Sequence, residues 1–66
     1  MSNGSSDLLT VDETAAILKR SPAALRYMIH AGTAPRSATI GRRRVFRRAD
    51  VEAFIAAAFA ETAVEV

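Results

Sequence analysis

Five arginines fall within eight residues of this chain, in the run GRRRVFRR from Gly41 to Arg48. A guanidinium is a planar fork of N–H donors that stays charged at physiological pH, and it meets phosphate oxygens or the acceptor edge of guanine two bonds at a time. A second basic group precedes this run, where Lys19, Arg20 and Arg26 are interleaved with the hydrogen-bonding side chains Ser21, Tyr27 and His30. All nine lysines and arginines lie between Lys19 and Arg48, and all seven acidic residues lie outside that window, so a net charge of +2 conceals a strong separation of charge. The chemistry this implies is recognition of a polyanion. Nucleic acid fits best, with anionic lipid and an acidic protein as the other candidates.

Catalysis finds no footing in the same inventory. One histidine, no cysteine and no glycine-rich phosphate loop leave no nucleophile with its base, no metal-ligand cluster and no nucleotide cradle. Asp12 with Glu13, and Asp50 with Glu52, are carboxylates of the kind that favour the positive end of a helix. The chain is therefore expected to be no enzyme and to require no cofactor, metal or small-molecule ligand.

Sixty-six residues allow one domain with a small core, because a chain of this size buries only about 60% of its unfolded surface. No apolar run approaches the roughly 18 residues of a membrane span, and the small polar stretch from Met1 to Ser6 has no signal-peptide character. A cytoplasmic protein that does not enter the membrane is expected. Residues 1–7 form an expected flexible tail, residues 8–60 the domain, and residues 61–66 a frayed tail that could also prolong the last helix.

The elements that must position the cations follow from spacing. Thr10 and Glu13 stand at capping-box distance, which predicts a first helix from Val11 to Leu18. Val11, Ala15 and Leu18 share its buried face, with Thr14 and Ile17 at the flank. Ser21 followed by Pro22 is the next start signal. The second helix then reaches His30 or Ala31, where Gly32 stops it. Leu25, Met28 and Ile29 form its apolar stripe, while Ala23, Arg26, Tyr27 and His30 occupy the other face. Two short helices joined by about three residues suit a helix-turn-helix.

After a loop over residues 33–37 the period changes. Ala38–Ile40 and Arg44–Arg47 are β-prone runs flanking Gly41, Arg42 and Arg43, which predicts a hairpin. Ile40 and Phe46 are the expected inward residues, with Val45 and Arg47 outward. Arg44 shares parity with Phe46, and period alone leaves its direction open. A third helix is expected from about Asp50 to Ala60 or beyond, with Val51, Phe54, Ile55 and Ala58 as its core stripe. Ala49 stands at its expected cap with Glu52 three residues on, and Phe59 lies beside the stripe, partly covered.

Three segments, LLTVDETAAIL (8–18), SPAALRYMIHAG (21–32) and IGRRRVFRRADVEAFI (40–55), resemble in order and spacing the small winged helix-turn-helix domains of the MerR-like superfamily, particularly phage excisionases and AlpA-like regulators. The resemblance implies a mainly α fold of three helices with a β-hairpin wing between the second and third. It implies a second helix lying in the major groove of double-stranded DNA and a wing against the minor groove or backbone. Excisionases bind adjacent sites cooperatively and bend DNA, setting the direction of integrase-mediated recombination. The chain departs from the pattern at Lys19 and Arg20, where relatives carry a small and an apolar residue, and at Ala49, where the cap is usually polar.

On this reading Arg20, Ser21, Ala23, Ala24, Arg26, Tyr27 and His30 form the helical part of the interface. Arg26 reads guanine or clamps phosphate, and Tyr27 donates to the backbone or packs against the first helix. His30 touches the rim or favours the helix end. Arg42 or Arg43 enters the minor groove while Arg44, Arg47 and Arg48 neutralise phosphates. Asp12, Glu13, Glu52, Phe59 and Glu61 are candidate contacts to neighbouring copies. The expected partners are double-stranded DNA, further copies of the chain and an integrase. A small transcriptional regulator is the alternative, followed by a module that binds an acidic protein without DNA.

Overall fold

The computed structural model describes residues 7–63. Six elements follow in order: β1 (Leu8–Thr10), α1 (Val11–Ile17), α2 (Pro22–Ala31), β2 (Ser37–Ile40), β3 (Arg43–Arg47) and α3 (Arg48–Ala63). The expected three helices and wing are present, and the wing gains a strand. Leu8–Thr10 pairs antiparallel with β3, so the sheet has three strands in the order β1-β3-β2. Of the expected tail at residues 1–7, all but Asp7 lie outside the described residues.

Helix α1 starts at the expected box. The Thr10 hydroxyl accepts from the Glu13 amide at 3.1 Å, and the Glu13 carboxylate accepts from the Thr10 amide at 2.9 Å. It ends in a Schellman closure, in which the Arg20 amide donates to Ala15 and the Lys19 amide to Ala16. That closure needs a left-handed residue, and Lys19 supplies it at φ 61°. Glycine would do so more cheaply, because the side-chain Cβ makes this conformation cost about 1–2 kcal/mol. Helix α2 closes in the same way with Gly32 at φ 79°, its start capped by the Ser21 hydroxyl accepting from the Ala24 amide at 3.1 Å.

The hairpin turn is two residues long, since Ile40 pairs with Arg43. Gly41 at φ 52° and Arg42 at φ 73° both adopt positive φ, the requirement of a type I′ turn. The register places Leu9 and Ser37 opposite Phe46, and Thr10 and Ala38 opposite Val45. Phe46 is fully buried as expected, but Ile40 is 57% exposed. The correction has a simple cause: in this register Ile40 pairs with Arg43, which has the parity of Val45, so it stands on the face away from Phe46.

The core consists of Leu9, Val11, Ala15, Leu25, Phe46 and Val51, with Leu18, Met28, Ile29, Ala34 and Ile55 packed at its margin. Removing a side chain such as Leu25 or Phe46 from water contributes about 1.5–3 kcal/mol each. Helix α3 begins at Arg48, directly after β3, so Ala49 lies inside the helix and caps nothing. Its first turn is instead held by Asp50, whose carboxylate accepts from Arg47 Nε at 3.0 Å. The helix runs to Ala63, so residues 61–63 prolong it, one of the two readings left open for that end. Ala58, expected in the core stripe, is exposed, and Phe59 is 70% exposed.

Among the described residues Thr14 is the one buried polar side chain, fully covered and with an Oγ1 that has no hydrogen-bond partner. A buried hydroxyl without a partner costs about 1–3 kcal/mol. Thr14→Val keeps the branched shape and removes the orphan group. It is expected to raise stability by about 1 kcal/mol, seen as a higher urea midpoint with an unchanged slope; a lower midpoint would mean that the hydroxyl is satisfied.

Candidate nucleic-acid interface

The exposed face of α2 is made by Ala23, Arg26, Tyr27 and His30, which recur three and four residues apart and are all exposed. Tyr27 is 73% exposed, which rules out its packing against α1. The opposite flank carries Leu25 into the core, so burial of one leucine fixes which side chains face outward. His30 stands in the last turn, where a cation favours the helix dipole.

Arg26 and His30 form one wall of a cleft of about 580 Å³, and Arg42, Arg43 and Arg44 of the wing form the other. Thr10, Val11 and Asp12 at the start of α1 and Ile29 of α2 complete its lining. Arg44 lies on the same face of β3 as Phe46, which answers the question that parity left open, and its Nη1 donates to the Ser37 hydroxyl at 2.8 Å across the hairpin. Four arginines from elements far apart in sequence thus line one concavity. Convergence of one sign of charge in a cleft focuses the field there.

The remaining residues of the expected interface are distributed differently. Arg20 lines a separate groove near α3, away from the cleft. The acceptor of Ser21 is spent on the cap, and with it the Ala24 amide, so Ser21 retains only its O–H for a phosphate. Arg47 is paired with Asp50, and neither Arg47 nor Arg48 lines the cleft. Among the proposed subunit contacts, Glu13 is engaged in the capping box, whereas Glu52, Phe59 and Glu61 are exposed on α3.

Asp12, expected as a contact to neighbouring copies, is exposed and lines the cationic cleft as its one carboxylate, a placement the sequence reading did not foresee. The signal that could have found it is β1, because pairing of Leu8–Thr10 with β3 carries the start of α1 alongside the wing.

A model of the helix-turn-helix domain matches residues 8–58. The chain belongs to this family of helix-turn-helix domains. The family covers excisionase-like and AlpA-like small DNA-binding proteins, and the chain is a DNA-binding protein of this winged helix-turn-helix kind. No curated protein and no solved structure matches it. No described helix is long and apolar enough to cross a membrane, and no cluster of acidic or histidine side chains among the described residues could hold a metal ion.

The wing tip places a charged residue where the backbone favours glycine. Arg42→Gly is expected to stabilise the fold by about 0.5–1 kcal/mol by relieving the left-handed Cβ, while flattening the dependence of duplex affinity on salt by about one unit. Urea melts and anisotropy titrations across a salt series measure the two effects. Loss of stability would show that the Arg42 side chain holds the hairpin together.

Proposed function

We propose that this domain is an excisionase, an architectural DNA binder that occupies attachment-site DNA, bends it and directs integrase-mediated recombination towards excision. The observation that carries this reading is the contrast between the two walls of the cleft. The exposed face of α2 offers one side chain able to read a base bidentately, Arg26, among Ala23, Tyr27 and His30. The wing supplies three arginines to the same cleft. Such an interface derives most of its affinity from phosphates, and its discrimination from DNA shape and deformability.

In the proposed complex α2 enters the major groove with Ala23 and Ala24 permitting close approach. Arg26 contacts guanine, and Tyr27 and His30 reach the backbone at the rim. Arg42 or Arg43 inserts into the adjacent minor groove and Arg44 clamps the intervening phosphates. Arg47, Arg48, Arg20 and the Ser21 hydroxyl serve as outlying phosphate contacts. Neutralising one flank of a duplex draws it towards the protein, which is the physical basis for bending. Tandem copies are brought together by the cationic wing of one and the acidic α3 face of the next at Glu52, and an integrase is the further partner.

Arg20, Arg44, Arg47, Arg48 and whichever of Arg42 and Arg43 stays outside the minor groove, each neutralising a phosphate, give a log–log salt slope of about −4.5 for duplex DNA. Arg26→Ala is expected to weaken the specific site by about 1–3 kcal/mol and random duplex by much less. Equal losses on both would remove Arg26 as a base reader. A circular-permutation gel on the attachment site tests the architectural role: position-dependent mobility is expected, together with a shift of recombination towards excision. Tight binding with neither effect would make the protein a transcriptional regulator.

A further inference from the structure

We propose that the hollow between the end of α2 and the start of β2 is a second anion subsite, in which Arg36 binds a phosphate of the duplex. The subsite presupposes the cleft as the seat of the DNA and extends that seat beyond Arg44. Arg36 stands in the loop before β2, apart from both the exposed face of α2 and the arginine run. It is exposed, and its side chain has no hydrogen-bond or ion-pair partner among the described residues. An unspent guanidinium keeps its whole fork of donors for a ligand.

The hollow holds about 370 Å³, with Arg36, Ser37 and Arg44 as its polar lining. Ile29 and Arg44 line both this hollow and the cationic cleft, so the two concavities adjoin. Arg44 is the joint between them. Its Nη1 donates to the Ser37 hydroxyl at 2.8 Å, which ties it to the residue next to Arg36. Pro35 is buried, and its ring fixes the backbone directly before Arg36. At Gly32, on the loop side, a side chain would meet nothing within 4 Å, so the hollow is open there to a ligand.

One feature opposes an anion here, because the carboxyl end of a helix carries a partial charge of about −0.5. That end of α2 is closed by the Gly32 and Thr33 amides, which donate to the Ile29 and Met28 carbonyls. Two full positive charges outweigh what remains, and among the described residues no carboxylate lines the hollow, whereas Asp12 lines the cleft. Arg36 also borders a mostly apolar hollow on the outer face of the sheet, where Asp50 already holds Arg47. An anion is therefore better placed on the side of Arg44. Since phosphates are joined covalently, a duplex held in the cleft presents the next one at high effective concentration, and even a weak subsite adds to binding.

Anisotropy titrations of a random-sequence duplex across a salt series, on the full chain, test the subsite. One more neutralised phosphate steepens the expected slope from about −4.5 to about −5.4, and Arg36→Ala is expected to return it to about −4.5 with several-fold weaker binding at low salt. Arg36→Lys keeps the charge and should keep the slope. Lys19→Ala removes the same charge from the groove near α3, away from cleft and hollow, and should leave the slope as in the wild type. Urea melts of Arg36→Ala should match the wild type, because the side chain is exposed and unpartnered. A slope that Arg44→Ala flattens and Arg36→Ala does not overturns the subsite and leaves the cleft standing. A slope unmoved by either variant removes the cleft as well. Equal flattening by Arg36→Ala and Lys19→Ala reduces Arg36 to part of the general field and also overturns the proposal.

Discussion

The register of β3 is the constraint on which the rest depends. Phe46 is fully buried, opposite Leu9 on one side and Ser37 on the other. Because side chains alternate along a strand, fixing Phe46 inward also fixes Arg44 on the cleft side and sends Val45 and Arg47 outward. A slip of one residue would bury an arginine and expose the phenyl, a reversal costing more than the marginal stability of a domain this size. The hydrophobic core thereby aims the cations. The two-residue turn then leaves Arg42 and Arg43 at the tip, on the same side of the molecule as the exposed face of α2.

Strain is stored at two places, and both hold a cation. Among the described residues Lys19 and Arg42 are the non-glycine residues with positive φ. Each stands where glycine is the cheaper choice, in a helix closure and in a type I′ turn. Residues that break a local rule while the surrounding hydrogen bonds hold them in place tend to mark functional surfaces. The two differ in what they face: Arg42 lines the cleft, and Lys19 lines the groove by α3.

Much of this was legible in the sequence because the start and stop signals are local. The Thr10–Glu13 box, the Ser21–Pro22 start and the Gly32 stop each act over three or four residues, and all three appear where spacing predicts. What escaped was non-local. Strand β1 is three residues long and offers no period to detect, and it exists because β3 has an edge to be covered. Ile40 was misdirected because the inward choice requires knowing the partner strand's register, which a run of two or three apolar residues does not encode. Ala49 was misread as a cap because α3 follows β3 without a loop, so the strand's last residue, Arg47, precedes the helix and binds Asp50. The division of the arginines between cleft and flank has the same origin, since sequence gives their density and only the tertiary pairing gives their direction.

Charge accounting explains how so small a domain sustains a strong local field at a net charge of +2. The acidic residues are not distributed to neutralise the cleft; several are consumed by the backbone and by neighbouring strands. Glu13 closes the capping box, and Asp50 takes Arg47 at the start of α3. Glu52 and Glu61 are on α3, away from the cleft. Against Arg26, Arg42, Arg43 and Arg44 the cleft retains only Asp12. The repulsion among those arginines is tolerable because all four are exposed, where water screens like charges a few ångströms apart to about 1 kcal/mol or less. The same exposure leaves the repulsion unrelieved in the unbound protein. A polyanion that enters the cleft gains attraction to each cation and removes their mutual repulsion together, so the convergence that costs the free domain a little stability adds to the stability of the complex.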